Sequence, residues 1–73
     1  MPPFRSPSIV VVEDDLSLQS ALVFALEAEG FTVRGFSRAA PLLSDPVQAD
    51  CMVVDMRLPD MDGLSLVRAL REG

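Results

Sequence analysis

The chain has no lysine and no histidine, and its six basic residues are all arginine. Eleven acidic residues leave a net charge of -5. That balance argues against nonspecific nucleic-acid binding and against docking on an anionic membrane surface. Cysteine occurs once, at Cys51, so no disulfide can close within the chain, which fits a reducing cytosol. No apolar run approaches membrane-spanning length. Residues 1–7 are too polar and proline-rich for a signal-peptide core and read as a short disordered leader. Internal repeats and low-complexity segments are also missing. At 73 residues there is room for one small domain at most. Yet 49% of the residues are hydrophobic, which is high for so small a core. The excess implies a partner surface or a missing piece of the same fold.

What is there alternates between two kinds of segment. Residues 8–13 form a continuous β-branched run, as expected of a strand covered on both faces. Asp15 or Ser17 is placed to cap a helix over 16–29. In it Leu18, Ala21, Leu22, Ala25 and Leu26 recur at helical spacing, and Gly30 stands at its C-terminal end. A second strand spans 31–36. Ser37 is placed to cap a short helix over 38–45, which Asp45-Pro46 ends. A third strand covers 50–55, and Cys51 reads as a small buried hydrophobe within it. A Pro-Asp-Met-Asp-Gly loop leads into a last helix over 63–72, with Leu64, Val67 and Leu70 as its stripe. Phe24, Val23 and Leu66 fall off the main helix stripes. Arg34, Arg38, Arg68 and Arg71 read as members of solvated faces. The order β-α-β-α-β-α with buried apolar strands predicts an α/β fold with a parallel sheet and right-handed crossovers.

In such sheets ligands bind beyond the carboxyl ends of the strands. Glu13, Asp14 and Asp15 end the first strand, and Asp55 ends the third. Several carboxylates in one pocket repel one another, and a hard divalent cation relieves that. A carboxylate beside such a cation is also a candidate phosphoryl acceptor, because the metal neutralises charge on the transferred group. The arrangement therefore suits a metal-assisted aspartyl phosphate with Asp55 as nucleophile.

Two segments carry a family resemblance. Val11-Val12-Glu13-Asp14-Asp15 resembles the first-strand motif of bacterial response-regulator receiver domains. The segment from Val53 through Asp55 and Pro59 to Gly63 resembles the surroundings of their phosphorylated aspartate. The resemblance runs from about Ser8 to Gly73. It implies the flavodoxin-like receiver fold, here with three βα units and strand order 2-1-3. It implies Asp55 as phospho-acceptor, with Asp14 binding Mg2+ directly and Glu13 helping through a water. The backbone carbonyl of Arg57 would be a further ligand. Counting back from the helix stripe puts the acidic pair at Glu13 and Asp14; a one-residue slip puts it at Asp14 and Asp15. Pro59 would shape the loop, and Gly63 would let the third helix start. The flavour is closest to receivers that precede a helix-turn-helix output domain.

The resemblance also sets further expectations. The phosphoryl donor would be a separate histidine kinase or phosphotransfer protein in the cytoplasm, since this chain has no histidine. The chain would be an acceptor rather than an enzyme. The family's later strands carry a Ser or Thr and a Lys that contact the phosphoryl group, and an aromatic switch residue. The chain ends before those strands and has no lysine. Without them the third strand would be a bare edge, and a homodimer through that strand or through exposed helix surfaces is expected. Such a chain would be an association module that does not switch. One rival pattern exists: Asp60-x-Asp62-Gly63 is similar to a haloacid-dehalogenase-type phosphatase run. Pro59 separates it from the strand that ends at Asp55, which favours exposed turn residues instead.

Overall fold

The computed structural model describes residues 6–72. Six elements alternate: β1 (Ser8–Val12), α1 (Leu16–Ala28), β2 (Thr32–Phe36), α2 (Ala40–Ser44), β3 (Cys51–Val54) and α3 (Gly63–Glu72). The strands form one parallel sheet in the order β2-β1-β3. The unbroken valines of β1 are explained by its central place: Val11 is fully buried, and Val10 and Val12 are 1% exposed. Of the 1–7 segment read as a leader, residues 1–5 lie outside the described residues. Pro7 already takes part in the fold, because its carbonyl accepts a hydrogen bond from the Thr32 amide at 3.0 Å.

The main core lies on one face of the sheet. Val10 and Val12 meet Ala39, Leu42 and Leu66, with Phe36, Met52, Val54, Leu58 and Met61 packed around them. On the other face α1 runs against β1 and β2, where Gln19 packs over Gly35. A Schellman motif closes α1: Gly30, at φ 98°, donates to the Glu27 carbonyl and Phe31 donates to that of Leu26.

Several expectations change in the structure. The helix spans α1 and α2 are shorter than read, and Ser37 is not the cap of α2. Ala39 opens that helix with no capping side chain of its own, and Pro41 stands in the first turn, where a missing amide costs little. The apolar stripe of α1 buries no residue fully, and Phe24 is 77% exposed. The reason is position: α1 lies against β1 and β2, at one edge of a three-stranded sheet. Leu66, read as off-stripe, is fully buried, whereas Leu64 is half exposed. The inward face of α3 is thus centred on Gly63, Leu66 and Leu70. Cys51 is exposed, not buried. Among the described residues β3 pairs only with β1, so its outer edge is unpaired, and Cys51 and Val53 on it are exposed. No described helix is long and apolar enough to cross a membrane.

Candidate functional site

The sheet ladder continues one residue past β1 and β3, and this builds the site. The Glu13 amide donates to the Phe36 carbonyl, and the Asp55 amide donates to the Val12 carbonyl, both at 2.9 Å. Glu13 and Asp55 therefore leave adjacent strands side by side at their carboxyl ends. Asp14 follows at once. One carboxylate oxygen from each of Glu13, Asp14 and Asp55 lies within 4.8 Å of the others. Glu13 is 9% exposed, Asp55 half-buried and Asp14 exposed.

Two contacts hold this backbone in place. The Gln19 side-chain amide donates to the Glu13 and Phe36 carbonyls at 2.9 Å each, tying α1 to both strand ends. It can lie there because Gly35 has no side chain: a Cβ would come 2.6 Å from Gln19 Oε1. Gly63 meets the other side of the site. A Cβ on it would strike the Asp55 carbonyl oxygen and sit 3.0 Å from Val54 Cγ1. Only glycine lets α3 start directly against the strand end that presents Asp55.

The electrostatics are those of a crowded anion cluster. The Asp15 amide donates to Glu13 Oε2 at 3.1 Å and favours the charged form. Burial and the neighbouring Asp55 and Asp14 carboxylates oppose it and prevail, so the Glu13 pKa is raised. All donors in the cluster are oxygen, the set a hard cation takes. An octahedral Mg2+ with bonds of about 2.1 Å places opposite ligand oxygens roughly 4.2 Å apart. The three carboxylates, each with an oxygen within 4.8 Å of the others, form a donor set of the kind such an ion takes.

The remaining candidate residues separate into different tasks. Asp15 is not a member of the cluster. Its Oδ1 accepts the Leu18 amide at 3.1 Å, so it is the N-cap of α1. The Arg57 amide donates to Asp55 Oδ1 at 3.2 Å, and Arg57 forms an isolated antiparallel bridge with Asp62. Asp62 caps α3, accepting the Ser65 amide at 2.7 Å and its hydroxyl at 2.9 Å. Asp60 accepts the Ala39 and Ala40 amides at 2.9 and 2.7 Å. Gln19 carries no signal in the sequence, and Asp60, read as an exposed turn residue, instead binds the start of α2. Both act across 17 or more residues, beyond the reach of a local motif. An aspartate directly before the first residue of α3 was a usable cap signal for Asp62.

A family model described as the response regulator receiver domain matches residues 9–73. The chain belongs to that family. Curated relatives include the DNA-binding transcriptional regulator NtrC of Proteus hauseri, 39% identical over 67 residues. The C4-dicarboxylate transport transcriptional regulatory protein DctD of Rhizobium meliloti is 38% identical over 68 residues. Both alignments cover 89% of this chain but only 14% and 15% of the relatives. Among solved structures, the non-phosphorylated HemR receiver domain of Leptospira biflexa superposes with a TM-score of 0.81 at 33% identity. It is covered over 56% of its length, against 92% of this chain. A sensor protein from Polaromonas sp. JS666 gives 0.85 at 38% identity, covering 94% of this chain and 57% of that one. The chain therefore spans the N-terminal portion of a receiver domain, with the sheet order 2-1-3 of the flavodoxin-like fold. Membership in this family replaces the dehalogenase-type reading of Asp60 and Asp62, whose carboxylates are taken up in capping.

Proposed function

We propose that the chain accepts a phosphoryl group on Asp55 from a histidine kinase or phosphotransfer protein in two-component signalling. The observation that carries this is the convergence of Glu13 and Asp14 on Asp55 at the carboxyl end of the sheet. Asp14 and Asp55 would bind Mg2+ directly, Glu13 through a water, and the backbone carbonyl of Arg57 would complete the protein's share. The ion supplies charge neutralisation for the transferred group. One Asp55 oxygen attacks phosphorus, an O–P bond forms, and the donor's N–P bond breaks with the electron pair returning to its imidazole nitrogen. The Arg57 amide on Oδ1 orients the carboxylate so that its other oxygen is free to attack. The chain is the acceptor in this reaction and not an enzyme with turnover, and its place is the cytoplasm. Nucleic-acid contact would fall to other parts of a regulator, given the net charge of -5.

The test is a Mg2+ titration followed by incubation with a small acyl-phosphate donor, read by intact mass. Wild-type chain should gain one phosphoryl group only when Mg2+ is present, and Asp55→Ala should gain none. An Asp55→Ala variant labelled as well as wild type refutes the assignment.

A second reading rests on the open edge of β3. Cys51 is exposed, Val53 is 40% exposed, and both belong to the strand that has a single partner among the described residues. A homodimer in which two such edges pair across a two-fold axis would cover them. Sedimentation at micromolar concentration decides it: a dimer supports association through β3, and a folded monomer refutes it.

A further inference from the structure

Asp60 sits at the tip of the loop that joins β3 to α3, and it reaches a different element. Its two carboxylate oxygens accept the Ala39 and Ala40 amides, the first donors of α2. These amides have no local side-chain cap. Asp60 is the residue that satisfies them, from twenty positions further along the chain. The amides, that of Ala39 foremost, hold its carboxyl below the usual range.

The loop behind that tip is tied at every stage. The Leu58 amide donates to the Met61 carbonyl at 3.2 Å, and the Gly63 amide donates to the Met56 carbonyl at 2.9 Å. Arg57 bridges Asp62 across the loop. Leu58 and Met61 pack into the core beside Ala39 and Leu42. At the near end the Arg57 amide holds Asp55 Oδ1. A continuous run of hydrogen bonds and packed side chains thus connects the start of α2 to the carboxylate of Asp55.

We propose that Asp60 is a positioning residue for the acidic site, latching the 56–62 loop to α2 so that Arg57 presents its backbone to Asp55 and to the cation. The inference rests on reading Glu13, Asp14 and Asp55 as a Mg2+ site. A carboxylate suits the task because it offers an oxygen to each of two amides and carries the charge that helix N-terminal amides favour. Asparagine offers one acceptor oxygen and keeps half the latch. Alanine keeps none of it.

Coupling of this kind is reciprocal. If the latch favours the metal-bound loop, bound metal must strengthen the latch by the same factor. The experiment measures Mg2+ affinity for wild type, Asp60→Ala, Asp60→Asn and Gly30→Ala, at a temperature where all are folded. Gly30→Ala strains the far end of α1 and controls for lost stability. Removing a group that orients a ligand costs on the order of tenfold in metal affinity. Asp60→Ala should therefore bind about tenfold more weakly, with Asp60→Asn between it and wild type and Gly30→Ala unchanged. In wild type, Mg2+ should slow hydrogen exchange at the Ala39 and Ala40 amides; in Asp60→Ala that response should vanish. A wild-type chain that fails to bind Mg2+ overturns the site reading itself. A wild type that binds, beside an Asp60→Ala variant that binds equally well, overturns the latch alone.

Discussion

Gly63→Ala joins the fold and the site in one substitution. The new Cβ would strike the Asp55 carbonyl oxygen and come 3.0 Å from Val54 Cγ1 and 3.1 Å from the Asp55 carbonyl carbon. None of these atoms is the free end of a flexible side chain. Two belong to the backbone of Asp55, and the third is on a strand residue that packs against the core. Either α3 or the strand end must move. Overpacking of this kind costs about 1–3 kcal/mol. Alanine regains part of glycine's helix penalty, at most ~1 kcal/mol and less at the first helical position. The net loss is about 1–2 kcal/mol. With a urea slope of about 1 kcal/mol/M for so small a chain, the midpoint should fall by roughly 1–2 M. Gly30→Ala supplies the contrast. Its Cβ meets nothing within 4 Å, so the cost is only the left-handed backbone at φ 98°, about 1 kcal/mol. Both variants should lose stability in urea followed by circular dichroism. Only Gly63→Ala should also weaken Mg2+ binding, because only it displaces Asp55. A Gly63→Ala midpoint at or above that of wild type, or unchanged Mg2+ affinity, would refute the reasoning.

Leu66→Ala empties the most buried position of α3 and should cost about 2–5 kcal/mol, a large share of the ~4–11 kcal/mol expected of a domain this size; a thermal melt that barely shifts would contradict the placement of the core. Asp55→Asn should raise the urea midpoint in metal-free, low-salt buffer, since it removes a charge that faces Glu13, and should abolish the stabilisation given by added Mg2+. Asp60 and Asp62 have lowered pKa values, chiefly from the Ala39 and Ser65 amides respectively. The native state then binds fewer protons than the unfolded chain in acid. Their stabilisation is complete above the ordinary carboxylate range and is lost as pH falls through the lowered values. A double Asp60→Asn, Asp62→Asn variant should flatten that acid limb, and an unchanged pH profile would rule the two caps out as its source.

Much of this fold was readable because local and global signals agree. The β-branched run of β1 announced a strand buried on both faces, and the alternation of strands with helices announced the parallel sheet. Two motifs at the carboxyl ends of strands led to Glu13, Asp14 and Asp55 before any geometry was known. Residue-level burial was harder to read. Leu66 and Leu64 exchange roles because the inward face of α3 is set by where Gly63 touches the strand, not by hydrophobicity alone. Cys51 and Phe24 are exposed because burial of an apolar residue depends on which neighbours the sheet provides. The partners of Gln19 and Asp60 were invisible for a different reason. Each side chain satisfies backbone groups that become neighbours only after the crossovers are made, and no periodicity in sequence encodes such a pairing.

The central claim is that Asp55 is the residue that takes the phosphoryl group, and trapping the acyl phosphate tests it most directly. After incubation with Mg2+ and an acyl-phosphate donor, borohydride reduction converts a phosphorylated aspartate to homoserine. Peptide mass mapping then locates the change. Conversion at Asp55 alone, dependent on Mg2+ and lost in Asp14→Ala, is the predicted result. Conversion at Asp60 or Asp62, or none at Asp55 with Mg2+ bound, would contradict the account.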